Sequence, residues 1–250
     1  NARLIPVPHI AATREPSAAS LEEKLAKWQQ SFGNRLSEAL IVRGDPKAGH
    51  QLDLTPSSPS SASASSSPAF SSSLELLESG VLKRGGLQTL CFCGHPEGTG
   101  GSSMEASLPS LANKLAWAEE NDLQARVVTQ FTFYSGVATG FLEAMRAGGM
   151  SAPVSLGVVG PSSLPLRKGM AERCGVAPPA SPYVTPFMRR IASWQSAQPE
   201  GAGLQSIHLY PFGGAGSTLK WLRDFYDDPE FQAEMPFDLI PPDEAALKSL

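Results

Sequence analysis

No stretch of these 250 residues is apolar for long enough to cross a bilayer. The longest purely apolar runs are strand-sized, against the roughly 20 residues a membrane helix needs. Basic clusters are also missing: 20 Lys and Arg face 24 Asp and Glu, a net charge of −4, whereas neutralising a phosphate backbone takes clustered cations. A membrane span and a nucleic-acid partner are therefore not expected, and the chain should be soluble or peripheral to something larger. Cysteine is scarce. Cys91, Cys93 and Cys174 make neither a disulfide framework nor a zinc pattern. Cys91 and Cys93 flank Phe92 in an apolar run and read as core, a usage that suits a reducing compartment. Four scattered histidines do not make a metal site. Neither a G-x-S-x-G elbow nor a G-x-x-x-x-G-K-[ST] loop is present. Gly98-Thr99-Gly100-Gly101 is glycine-rich but lacks the strand-to-helix context of a dinucleotide turn. The first residue is Asn1 rather than Met, so a removed leader or a segment preceding Asn1 is expected.

What the sequence does contain is alternation. Hydrophobic residues make up 41% and charged residues 18%, enough for one large domain with a sizeable core. Strands are expected over 3–10, 38–43, 87–93, 125–133, 153–159 and 206–210, several with consecutive apolar residues, as in parallel strands covered on both faces. Helical patterns lie between them: one opened by Ser20 as N-cap with Glu23 closing a capping box, then 104–121, 137–147, 164–174, 184–195 and 217–226. Strand spacings of roughly 30 to 50 residues suit right-handed β-α-β units. The expectation is an α/β fold, a (β/α)8 TIM barrel of which six of eight units are visible. The barrel would occupy 1–226, with a flexible insertion over the Ser-, Ala- and Pro-rich residues 55–73 and an extended tail over 227–250.

In such a fold, ligands bind at the carboxyl ends of the strands. Polar residues stand at those ends: His9, Arg43-Gly44-Asp45, His95-Pro96-Glu97-Gly98, Thr129-Gln130, and Tyr210 with Gly213-Gly214. Each has a plainer reading as well. Arg43 and Asp45 form either a rim ion pair or a binding pair, and Gly44 between them permits close backbone approach to a ligand. His9 is either a satisfied core histidine or a contact. Gln130 offers a planar heterocycle both a donor and an acceptor. Glu97 is the carboxylate best placed for acid–base work, or else a loop cap.

The runs Val7-Pro8-His9-Ile10, Leu40-Ile41-Val42-Arg43-Gly44-Asp45, Gly94-His95-Pro96-Glu97-Gly98, Val128-Thr129-Gln130-Phe131 and His208-Leu209-Tyr210 come in an order that resembles methylenetetrahydrofolate reductase. The resemblance spans roughly Leu4 to Trp221. It implies a TIM barrel holding FAD, an oxidoreductase of one-carbon metabolism that passes a hydride from NAD(P)H to 5,10-methylenetetrahydrofolate. Carried over by position, it implies FAD contacts from His9, Arg43, Gly44, Asp45, His95, Thr99 and Lys114, the last near the FAD phosphates. Gln130 and Tyr210 would meet folate and nicotinamide.

The departures from the family are as informative. Its first two strands, with the Glu that acts as general acid, have no counterpart here, so no catalytic acid can be assigned. The usual G-Y-P-E-G tyrosine is His95, and Thr99 stands where the family has a second His. An acid after Phe133 is replaced by Tyr134. Two folate-side residues, a Gln and an Arg, appear as Leu166 and Gly214. Beside the working flavoprotein stands an alternative: a degenerate accessory subunit of a large assembly, such as a mitochondrial respiratory complex, with the mitochondrion placed ahead of the cytosol as location. A folate or nucleotide binder without flavin is a third. Two absent strands would expose sheet edges, so a protein partner or a preceding segment is expected to complete the barrel.

Overall fold

A computed structural model of the chain describes residues 5–44, 69–180, 184–199 and 201–226. Asp45, most of the Ser-rich stretch and the tail over 227–250 lie outside the described residues. Six strands form one sheet in chain order, β1 (His9–Ala11), β2 (Glu38–Val42), β3 (Thr89–Gly94), β4 (Gln124–Thr129), β5 (Val154–Val159) and β6 (Ser206–Tyr210). The registers β1–β2, β2–β3, β4–β5 and β5–β6 are parallel. Helices intervene as the strand spacing requires, because a parallel neighbour can be reached only by a crossover. No described helix is long and apolar enough to cross a membrane.

The chain divides into two compact units. The first comprises Ile5–Phe92 and Ala116–Ala125. In it β1 aligns His9 with Leu40, and β2 aligns Leu40 with Cys91. Strand β1 is three residues long rather than eight. Pro6 and Pro8 carry no N–H, so at these two positions the chain contributes acceptors only, as when the Pro8 carbonyl receives Leu40 N–H at 2.9 Å. Helix α1 (Ala18–Phe32) is capped by Ser17, whose hydroxyl accepts from Ser20 N–H, and not by Ser20 itself. Ala18 and Ala19 are strong helix formers, so the helix starts a turn earlier than the Ser20–Glu23 box suggests.

Two short helices were not expected: α2 (Ser73–Glu78), capped by Ser72, and α3 (Val81–Arg84). They bury Leu76, Leu77, Val81 and Leu82 completely. Each such side chain is worth about 1.5–3 kcal/mol of apolar transfer, enough to order helices too short to form alone. The end of the Ser-rich stretch is thus packed where it is described: Phe70 is buried, and Ala69 N–H donates to the Glu15 carbonyl. Glu15 itself is buried and accepts from Lys24 Nζ at 2.7 Å on both oxygens.

The second unit comprises Cys93–Leu115 and the chain from Arg126 on. Strand β5 is buried at every position, as expected for a strand covered on both faces. Strand β4 ends at Thr129, four residues sooner than the apolar pattern predicts, and Phe131 leaves the sheet to pack edge-on against Phe133, Tyr210 and Phe212. Helix α4 (Met104–Glu120) brings Lys114 to this unit. Helix α5 (Ser135–Ala147) turns Ala138, Phe141, Leu142 and Met145 inward at helical spacing. Helices α6 (Leu164–Cys174), α7 (Thr185–Ser196) and α8 (Ala215–Tyr226) follow.

Candidate functional site

Within the second unit, the ends of β3, β4 and β6 assemble a group of polar side chains. The backbone sets them side by side: Gln130 N–H donates to the Gly94 carbonyl at 2.7 Å, which holds Gln130 next to the start of the His95 loop. Gly94 has to be glycine, because a Cβ there would come within 2.6 Å of the Phe141 ring. Tyr210 lies over Gly157 and donates its hydroxyl to the Thr129 carbonyl at 3.1 Å. Burial, together with the neighbouring Cys93 and Cys174, raises its phenol pKa, so Tyr210 is a neutral donor at any ordinary pH.

Lys114, from α4, supplies the charge. Its ammonium makes no hydrogen bond and no ion pair with a carboxylate among the described residues. Burial lowers its pKa, and Cys93 offsets part of that shift. Burial raises the Cys93 thiol to about 11 despite Lys114 nearby, which leaves it unreactive at neutral pH. His95 is pulled below its ordinary value, first by burial and then by Lys114, so its imidazole is neutral at pH 7. The result is a half-buried cation among uncharged donors and acceptors, an arrangement suited to an anion and not to a metal ion. No group of three or more His, Cys, Asp or Glu close enough to hold a metal occurs among the described residues.

Two expected participants are committed elsewhere. Glu97 accepts from the Thr132 hydroxyl on one oxygen and from Ala177 N–H on the other, each at 2.5 Å. It ties three loops together and is a clamp, not an available acid. The amide oxygen of Gln130 accepts Phe131 N–H at 3.1 Å, which leaves its NH2 group as the part that can meet a ligand. Thr99 is exposed in a hairpin closed by reciprocal backbone bonds with Ser102, of 3.0 and 2.9 Å. Gly98 at φ +81° makes that turn possible, since a Cβ there would sit 2.0 Å from the Ser102 carbonyl. The glycine-rich loop is folded onto itself.

In the first unit, exposed His9 lies on β1 and exposed Arg43 follows β2. Gly44 has φ +81°, and a Cβ on it would meet the Ala11 side chain at 2.9 Å. The close approach it permits is therefore to the chain itself, where Thr13 N–H donates to the Arg43 carbonyl. Asp45, expected beside it, lies outside the described residues.

Sequence reasoning missed Arg167, a buried cation on α6, because a charged residue in a helical pattern ordinarily faces water. It also missed that Cys93 lies beside Lys114, a proximity that only the fold creates. No protein-family model matches the chain.

Proposed function

We propose that the chain is a large part of a (β/α) barrel of the methylenetetrahydrofolate reductase kind, and that it binds FAD at the ends of its strands. The observation that carries this reading is Lys114, a half-buried ammonium with no carboxylate partner among the described residues, beside a neutral His95. A partly desolvated cation without an anion gains from a ligand that brings one, and a dinucleotide diphosphate does so. His95, Lys114 and Thr99 would hold the cofactor in this unit, with His9, Arg43, Gly44 and Asp45 as contacts implied by the resemblance. Gln130, through its NH2 group, and Tyr210 would meet the heterocycles of folate and nicotinamide. The flavin supplies the hydride chemistry, and these residues bind, orient and exclude water.

A second reading, an accessory subunit without turnover in a large assembly such as a mitochondrial respiratory complex, is favoured by Glu97. Its two oxygens are occupied by the Thr132 hydroxyl and by Ala177 N–H, which leaves neither free to serve as an acid. Anaerobic addition of NADH or NADPH to FAD-loaded protein tests both. Bleaching of the flavin, followed by recovery on adding methylenetetrahydrofolate, is the outcome expected of a reductase. Flavin held but never bleached supports the accessory reading. Failure to take up FAD at all overturns the flavoprotein proposal.

A further inference from the structure

Another feature of the second unit is independent of the flavin reading. At the ends of β4 and β5 a cleft of about 560 Å³ lies between the starts of α5 and α7. Its described lining contains two arginines, Arg167 and Arg190, and no Asp or Glu. The rings of Phe133, Tyr134 and Phe187 and the end of β5 give it apolar walls.

Arg167 is only 2% exposed. Its Nε donates to Ser162 Oγ at 3.1 Å and its Nη2 to the Gly160 carbonyl at 3.2 Å, both neutral acceptors. Among the described residues its Nη1, which is open to the cleft, has no partner, and no carboxylate pairs with the guanidinium. Burial alone lowers its pKa, with no opposite charge acting against that shift. A largely buried cation held only by neutral acceptors gains from an anion that compensates the rest of its desolvation.

Neither of the two helices that start at the cleft is capped by a side chain among the described residues. The N-cap of α5 is Tyr134, whose hydroxyl is spent on the Pro178 carbonyl at 2.8 Å, and the N-cap of α7 is Val184. The first N–H groups of α5, on Ser135 and Gly136, find no acceptor among the described residues. Helix starts of this kind, of 13 and 12 residues, carry partial positive charge and outward-pointing donors. A buried guanidinium with an open Nη1, a second arginine and two uncapped helix starts thus converge on one apolar-walled space.

We propose that this cleft binds a small organic oxyanion, a carboxylate or phosphate group carried on an aromatic or apolar body. The anionic head sits on Arg167 Nη1 and the Ser135 and Gly136 N–H groups, Arg190 stands at the mouth, and the body packs against Phe133 and Phe187. The head compensates the buried cation, and the walls exclude water from the pair.

Calorimetric titration of the full chain with phenyl phosphate, benzoate and, as a neutral control of similar size, benzyl alcohol tests this. At least one anion binds saturably, with a dissociation constant on the order of 1 mM or below, and benzyl alcohol does not. Preference for phenyl phosphate assigns a phosphate-bearing ligand, and preference for benzoate a carboxylate. The decisive variant is Gly136→Asp. A Cβ at Gly136 meets nothing within 4 Å, and an acid in a first helical turn is favourable, so the protein keeps its unfolding midpoint or raises it. The introduced carboxylate occupies the anion position, and binding falls at least about tenfold. Arg167→Met loses binding as well; should it fail to fold, exposed Arg190→Glu provides the charge test. Binding of both anions no tighter than benzyl alcohol overturns the proposal, as does unchanged binding in Gly136→Asp.

Discussion

Replacing Glu97 by alanine separates the clamp from the acid. In the folded protein its carboxylate receives the Thr132 hydroxyl and Ala177 N–H at 2.5 Å each, joining the loop after β3 to the loops after β4 and α6. Hydrogen bonds to a charged acceptor contribute about 1.5–3 kcal/mol each when buried. Glu97 is only partly buried, so solvent takes over some of that role. For the pair a loss of about 2–3 kcal/mol is expected, and for Glu97→Gln about 1 kcal/mol, since Thr132 can reverse its hydroxyl and accept from the new amide. In a chain of this size each kcal/mol is worth roughly 2–4 °C, so Glu97→Ala should unfold about 4–12 °C earlier by circular dichroism. Flavin content per folded molecule should not change. An unchanged transition midpoint together with lost reductase activity would refute the clamp and return Glu97 to a role in catalysis.

Other expectations follow from the same packing. Gly157→Ala places a Cβ 2.3 Å from the Thr129 carbonyl and 2.9 Å from the Tyr210 ring, and should cost about 2–3 kcal/mol in urea unfolding; full stability would show that Tyr210 does not lie over β5. Cys93 gives the protein an alkaline limit. Its thiol stays protonated in the folded state up to about 11 but ionises near 9.0 when unfolded. The folded state then binds more protons over that window, so stability falls as pH rises from about 9 to about 11, on the order of 1–2 kcal/mol in all. Cys93→Ala should flatten that part of the pH–stability curve, and an unchanged slope would count against the buried thiol. Lys24→Met strands the buried Glu15 carboxylate and should cost about 2–3 kcal/mol, less than a fully buried pair because Lys24 is partly exposed; a denaturant midpoint within error of the unaltered protein would mean that water solvates Glu15.

Residues that act through local pattern were the ones legible in the sequence. Strand β6 and helix α6 run over 206–210 and 164–174 as expected, because apolar runs and Gly175 at φ +65° mark their limits directly. The all-parallel pairing was visible in consecutive apolar residues such as Leu40-Ile41-Val42. The length of β1 was misjudged because side-chain pattern outweighed the missing N–H groups of Pro6 and Pro8. Helices α2 and α3 were hidden by brevity, since four buried aliphatics order them from outside. At the site, the polar strand ends were readable, but their commitments were not. Whether Glu97 faces a ligand or Ala177 N–H depends on a contact 80 residues away in sequence. The burial of Arg167 and the neighbourhood of Lys114, Cys93 and His95 likewise exist only once β3, α4 and α6 are folded.

The most direct test of the central claim is the visible absorption spectrum of the protein purified with its natural partners, set beside that of a Lys114→Met variant. Flavin bands near ~450 nm in the first, reduced in the second at equal folded concentration, are the predicted result. Intact protein without those bands, even after incubation with FAD, would contradict the account and leave the parallel sheet without the cofactor proposed for it.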